Sequence, residues 1–252
     1  MLADIVAAHR RAAAEADQGA LEARCEAALA LPAPRDFRAA LATPGLSVIA
    51  EVKRRSPSKG DLNPGLDPAL TANAYAEGGA AALSVLTEAD YFGGSADDLR
   101  AARAACDVPV LRKDFTVHVA DLVDARHMSA DAVLLIVAAL TDQELATFTA
   151  LAARLKLAAL VETHDAAEIE RALAAGATII GVNQRDLRTF EIDRTLAARL
   201  RDRIPEGVVA VAESGIRSRE DVAPGYDAVL VGESVVTAAD PTTAIRRLRG
   251  ED

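Results

Sequence analysis

Eight short β-rich runs alternating with helical segments, strand ends that turn abruptly polar, and an opening stretch of purely helical periodicity together predict an α/β protein. The architecture they define is a single (β/α)8 TIM barrel domain over residues 1–252, with residues 1 to about 45 forming a helical N-terminal extension. A chain of 252 residues suits one large barrel, and 51% hydrophobic against 26% charged residues describes a packed core.

In the extension, Ile5, Val6, His9, Leu21 and Leu29 recur at helical spacing within Ala/Glu/Arg-rich sequence, and Pro32, Pro34 and Pro44-Gly45 punctuate its end. Strands are expected near 47–52, 81–86, 109–112, 131–137, 157–161, 178–182, 208–212 and 227–231. The spacers 67–78, 95–105, 118–128, 141–154, 165–175 and 193–203 are long enough for helical crossovers, so the strands run parallel. Only Arg217 to about Pro224 separates the last two strands, and Pro224-Gly225 predicts a stunted seventh helix.

Composition narrows the function classes. A formal net charge of −10 argues against a general nucleic-acid surface, and three Tyr, five Phe and no Trp supply no stacking platform for bases. Local basic spots such as Lys53-Arg54-Arg55 and Arg246-Arg247 suit a small anion instead. The apolar run Asp131–Leu140 reaches only half of the ~20 residues a membrane span needs, and Met1-Leu-Ala-Asp4 lacks the basic start of a secretory signal. Cys25 and Cys106 are not spaced as CxxC, so neither a disulfide framework nor a thiolate metal site is expected, and a reducing cytoplasm is the simplest home. No GxGxxG, P-loop or HExxH occurs, so no nucleotide or metal cofactor is indicated. His9, His118, His127 and His164 are scattered and read as surface or helix residues.

The polar strand ends carry the chemistry. Glu51 and Lys53 are spaced i, i+2, so both side chains point to one face, either as a salt bridge or as a pair in the barrel mouth. The following Ser56-Pro-Ser-Lys-Gly60 loop, rich in turn formers and anion donors, favours a site. Lys113 ends Val110-Leu-Arg112, where desolvation and neighbouring cations are expected to lower its ammonium pKa and make it a usable general acid, with Arg112 as a structural partner. Glu162 reads as a tuned base or as a helix N-terminal carboxylate. Asn183 offers a donor and an acceptor, or a turn cap. Glu213-Ser214-Gly215 and Gly232-Glu233-Ser234 occupy the loops after strands seven and eight, where barrels commonly bind phosphate. No GxSxG elbow surrounds Ser56, Ser214 or Ser234, so these hydroxyls are expected to bind a ligand rather than attack one.

Val48-Ile-Ala-Glu-Val-Lys-Arg-Arg-Ser-Pro-Ser-Lys-Gly60 closely resembles the signature of the indole-3-glycerol phosphate synthase family. Leu86-Thr-Glu88, Val110–Phe115, Ala130–Ala139, Gly181-Val-Asn183, Ala212–Ile216 and Val231–Ser234 resemble its successive motifs, in order and over the whole barrel. The resemblance implies a carboxy-lyase of tryptophan biosynthesis that closes the pyrrole ring of 1-(2-carboxyphenylamino)-1-deoxyribulose 5-phosphate with loss of carbon dioxide and water. It implies no cofactor, a small phosphosugar-anthranilate substrate with neither nucleic acid nor membrane as partner, and an extension that covers the barrel mouth, and it names no protein partner. By the same resemblance Lys113 is the general acid at the carbonyl and Glu162 a proton-transfer partner in dehydration, while Glu51 and Asn183 orient the reacting centre. Lys53 contacts the phosphate or carboxylate and shares acid duty, Glu213 and Ser214 line the pocket, and Ser56 lies near the anthranilate carboxylate. Gly215, Gly232, Glu233 and Ser234 cradle the phosphate.

Three departures accompany the match: Gln184 stands where many relatives carry Asn, Ser129 stands where Gly is expected, and the seventh helix is short. With the chain filled by the barrel, a monofunctional protein is expected. Two other readings stay open, a non-catalytic phosphosugar-binding barrel and a phosphoribosylanthranilate isomerase-like barrel enzyme. The intact acid, base and phosphate loops weigh against the first, and product identity separates the second.

Overall fold

The computed structural model describes residues 2–14, 18–187 and 189–251. Its strands are β1 (Ser47–Val52), a short hairpin of β2 (Arg55–Ser56) and β3 (Gly60–Asp61), β4 (Ala82–Leu86), β5 (Val110–Lys113), β6 (Ala132–Ile136), β7 (Ala158–Thr163), β8 (Ile179–Asn183), β9 (Val209–Glu213) and β10 (Ala228–Val231). All but the hairpin form one closed barrel of parallel strands, sealed where β1 pairs with both β10 and β4. Each expected run is a barrel strand, displaced by no more than two residues at either end.

Alternation along each strand separates two cores. Ile49, Leu111, Leu134, Leu160, Ile179, Val211 and Leu230 pack together inside the barrel. Their neighbours Val48, Leu83, Leu135, Val161, Ile180 and Val229 belong to a larger cluster that the helices cover. Burial on both faces is why these runs are continuously apolar.

The helices are α1 (Leu2–Ala14), α2 (Gln18–Ala30), α3 (Phe37–Leu41), α4 (Pro68–Glu77), α5 (Ala96–Ala105), α6 (Val119–His127), α7 (Asp142–Arg154), α8 (Ala166–Ala174), α9 (Leu196–Leu200), α10 (Glu233–Val236) and α11 (Pro241–Arg249). Asp67, Ser95, Thr141, Asp165 and Asp240 cap five of them through side-chain oxygens. The expected seventh helix is a single 3-10 turn, Arg219–Asp221, capped by Ser218 and cut off before Pro224. The 193–203 spacer is shorter than expected: α9 begins only at Leu196 and decays into a 3-10 turn at Arg201–Arg203.

Of the helical extension, residues 1 and 15–17 lie outside the described residues. The rest occupies the two ends of the barrel and one flank. Ile5 of α1 is buried in the mouth, where Arg10 donates to Glu144 Oε1 at 2.6 Å and to the Ala139 carbonyl at 3.2 Å. α2 lies along α6 through an Arg24–Asp124 ion pair. Phe37 and Leu41 of α3 plug the opposite end, packed on the interior cluster. The extension therefore covers the mouth with α1 and stops the floor with α3.

Candidate active site

Inward parity delivers the polar residues to one place. Counting in twos from Ile49, Leu111, Leu160, Ile179, Val211 and Leu230 gives Glu51, Lys113, Glu162, Asn183, Glu213 and Gly232 at the carboxyl ends of their strands. All six line one cavity of about 380 Å³, together with Lys53, Ser56, Ser214, Gly215, Glu233 and Ser234. Every candidate residue of the sequence is thus at the mouth. Phe92, Phe115, Phe190 and Ile5 give the cavity an apolar wall, and Arg185, Arg194 and Arg217 add positive charge.

Lys113 sits among carboxylates, with Nζ 3.3 Å from Glu162 Oε2. Burial pulls its ammonium pKa down, but Glu162, Glu213 and Glu51 outweigh burial and the net shift is upward. The expectation that desolvation and neighbouring cations lower it is corrected: the neighbours are anions, and Lys113 is held charged. Glu162 is fully buried, so burial raises its pKa, yet Lys113, His164 and Asn183 carry it below the usual carboxylate range. Glu213 is different. Burial and the Glu162 carboxylate push it up to about 8 against the pull of Lys113, which biases it toward its protonated form.

Lys53 forms an ion pair with Glu51, so the salt bridge and the mouth placement are both true. Tyr75 supports this strand end by donating to the Glu51 carbonyl at 3.3 Å. A Cβ at Gly232 would meet Glu51 Oε1 and Lys53 Nζ, which explains glycine there, and a Cβ at Gly181 would collide with Glu213 Oε1. Arg112 is structural, with Nη2 2.9 Å from Asp114 Oδ2 and Nη1 2.7 Å from the Asp121 carbonyl.

The two glycine loops are tied together. Ser214 and Gly215 have φ of 66° and 76°, a left-handed turn that exposes backbone N–H groups. Gln184 Nε2 donates to the Ser214 carbonyl at 2.8 Å, so the departure at 184 still braces the turn. Ser234 Oγ donates to the Ile216 carbonyl at 3.2 Å across to the next loop. Glu233 opens α10, and its carboxylate is taken by Lys59 at 2.6 Å. Among the described residues, no group of three or more His, Cys, Asp or Glu side chains is arranged to hold a metal ion.

His164 is the second correction. It is no surface residue: its Nε2 lies 3.5 Å from Glu162 Oε1 and its Nδ1 3.0 Å from Glu168 Oε2. Its spacing of two residues from Glu162 is the signal that could have found it. Phe92 had no such signal, because it is presented by a loop whose N–H groups at 90, 91 and 92 close on the Glu88 carboxylate.

A closed parallel barrel with a largely buried, charged lysine among carboxylates, facing glycine turns and arginines across one cavity, is a barrel enzyme for a small anionic substrate. The comparisons narrow the class. A model of the family described as "Indole-3-glycerol phosphate synthase" matches residues 2–248. The chain is 56% identical to "Indole-3-glycerol phosphate synthase 2" of Streptomyces coelicolor, covering 89% of each. It is 53% identical to the indole-3-glycerol phosphate synthase of a Nocardioides species, over 99% of this chain and 98% of that one. The chain belongs to the indole-3-glycerol phosphate synthase family. Among solved structures, thiamine phosphate pyrophosphorylase from Pyrococcus furiosus aligns with a TM-score of 0.61 at 20% identity, over 81% of this chain and 94% of that one, a likeness of fold alone. No helix among the described residues is long and apolar enough to cross a membrane.

Proposed function

We propose that this chain converts 1-(2-carboxyphenylamino)-1-deoxyribulose 5-phosphate to indole-3-glycerol phosphate, carbon dioxide and water, as a cytoplasmic enzyme of tryptophan biosynthesis. The aromatic carbon bearing the carboxylate attacks the ketone carbon, and the ketone oxygen takes a proton. The carboxylate leaves as carbon dioxide, its bonding pair restoring the aromatic ring. Loss of that hydroxyl as water, with a proton from the adjacent methylene, completes the pyrrole.

The observation that carries this reading is Lys113 held charged against Glu162 inside the cavity. Its ammonium is the proton donor to the ketone oxygen. Donation removes the nearest cation from Glu162 while burial remains, so the proton affinity of Glu162 rises and it becomes competent to take the methylene proton in the next step. One pair thereby serves as acid first and base second. Glu213, biased toward its protonated form, and Asn183 offer hydrogen bonds to the reacting hydroxyl, and the Glu51–Lys53 pair orients the centre from the opposite strand.

The phosphate is assigned to the N–H groups of Gly215, Gly232, Glu233 and Ser234, where the first turn of α10 leaves donors without intrahelical partners. Glu233 contributes its backbone, since its carboxylate is occupied by Lys59. Ser56, on the hairpin, lies toward the anthranilate carboxylate, and the Phe92, Phe115 and Phe190 wall suits the aromatic ring. The test is product formation by purified protein with EDTA present, followed by indole fluorescence and by carbon dioxide release. One carbon dioxide per indole product supports the reading. Tight phosphate-dependent binding without turnover would replace it with the non-catalytic barrel, and a different product with an isomerase.

A further inference from the structure

His164 stands behind Glu162, outside the cavity lining, and both of its ring nitrogens face carboxylates. Glu168 Oε2, in the first turn of α8, accepts from the His164 backbone N–H at 2.7 Å and contacts ring Nδ1 at 3.0 Å, which fixes the ring plane. The other nitrogen, Nε2, faces Glu162 Oε1 at 3.5 Å. Both of those atoms are fully buried, and neither has a well-formed hydrogen bond. The second oxygen of Glu162 takes Lys113 at 3.3 Å. Glu162 therefore lies between two cations supplied from opposite sides.

We propose that Glu168 and His164 are a positioning pair that holds the Glu162 carboxylate in place and charged while Lys113 turns to the substrate. The proposal deepens the ring-closing reading above and rests on it. A histidine needed only to begin α8 would be satisfied by Glu168 through its backbone and Nδ1. It would not also aim Nε2 at the buried oxygen of a carboxylate that would otherwise have no partner there. When Lys113 gives up its proton, the attraction on Glu162 Oε2 disappears. His164 then remains on Oε1, keeping the carboxylate directed as the base of the following step.

The titratable groups around the ring are Glu162 from β7 and Glu168 from α8, with Lys113 from β5 and Glu213 from β9 beyond Glu162. Burial lowers the proton affinity of the ring, but Glu162 and Glu168 raise it further, to about 10, so the ring is an imidazolium at neutral pH.

The experiment uses His164→Gln, which keeps an amide donor without the charge, and Glu168→Gln, which keeps an oxygen acceptor for the helix start. Two readouts are taken on the full chain: steady-state kinetics across pH, and 15N titration of the four histidines, with His164 assigned from its variant. The expected kinetics are a kcat reduced by ~10-fold or more with KM within ~2-fold, and an acidic limb of the kcat profile moved to higher pH. The expected spectra place the His164 midpoint far above the other three and lower it in Glu168→Gln. Folded variants with wild-type kcat and an unmoved acidic limb would overturn the proposal, as would an His164 midpoint near 6.5. A wild-type protein that makes no product while His164 titrates high and responds to Glu168 would instead overturn the ring-closing reading and leave the pair standing.

Discussion

Lys113 is largely buried yet charged because the carboxylates around it, Glu162 first, outweigh its burial, whereas Glu213 is pushed toward its protonated form because burial and the Glu162 charge act on it in the same direction. The pocket thus divides its protons by position rather than by residue type. Gly181 makes this division possible, since the Glu213 carboxyl occupies the space where any Cβ would stand. Gly181→Ala is expected to displace Glu213 and reduce kcat by ~10-fold or more while the chain still folds, measured as turnover beside the far-ultraviolet circular dichroism spectrum. His164 gives a pH signature of its own. Its folded pKa is raised from near 6.5 to about 10, so its stabilising contribution is complete below 6.5 and is lost as pH rises toward 10. Urea unfolding at pH 7 and pH 9.5 is expected to show a larger loss for wild type than for His164→Gln. Equal losses would contradict the assigned shift.

Among the elements, the end of α6 explains one departure from the family pattern. Ser129 has φ of 66°, and the Ala130 N–H donates to the Ala125 carbonyl at 2.9 Å, a Schellman ending whose left-handed position favours glycine. Ser129→Gly is expected to stabilise the fold by ~0.5–1 kcal/mol and to raise Tm by ~1–4 °C in a thermal melt. At the other end of the barrel, α1 is pinned by Arg10 to Glu144 and Ala139. The pair is partly exposed and contributes ~0.2–1 kcal/mol, so Arg10→Ala is expected to raise KM by no more than ~5-fold with kcat nearly unchanged. A large fall in kcat would assign α1 a role in the chemistry that its contacts do not support. The strands were legible because continuous apolar runs bounded by Pro, Gly and polar residues have few other folds open to them. The β2–β3 hairpin, two residues per strand, was too short to register against the turn formers around it. The placement of α3 at the floor depends on Phe37 and Leu41 meeting interior residues from distant strands, which periodicity within the helix does not encode.

For the whole molecule, the shared pocket was legible because parity along a parallel strand is strict: an inward Leu or Ile makes the residue two places on inward as well. That rule brought Glu51, Lys113, Glu162, Asn183 and Glu213 to one mouth from residues 162 positions apart. The charge states were not legible, because they follow from which groups face one another across the barrel. The sequence suggests cations around Lys113 where the fold supplies anions, and it reads His164 as a surface or helix residue although the ring backs Glu162. On the proposed reading, one Lys113–Glu162 pair supplies first the acid and then the base. The most direct test of that reading is single-turnover formation of indole-3-glycerol phosphate by wild type, Lys113→Ala and Glu162→Gln, with the ring-closed intermediate monitored by mass. Lys113→Ala is expected to slow ring closure by ~10³-fold, and Glu162→Gln to let the ring-closed, decarboxylated species accumulate before water is lost. Near-normal ring closure in Lys113→Ala, or no such accumulation in a slowed Glu162→Gln, would contradict the account.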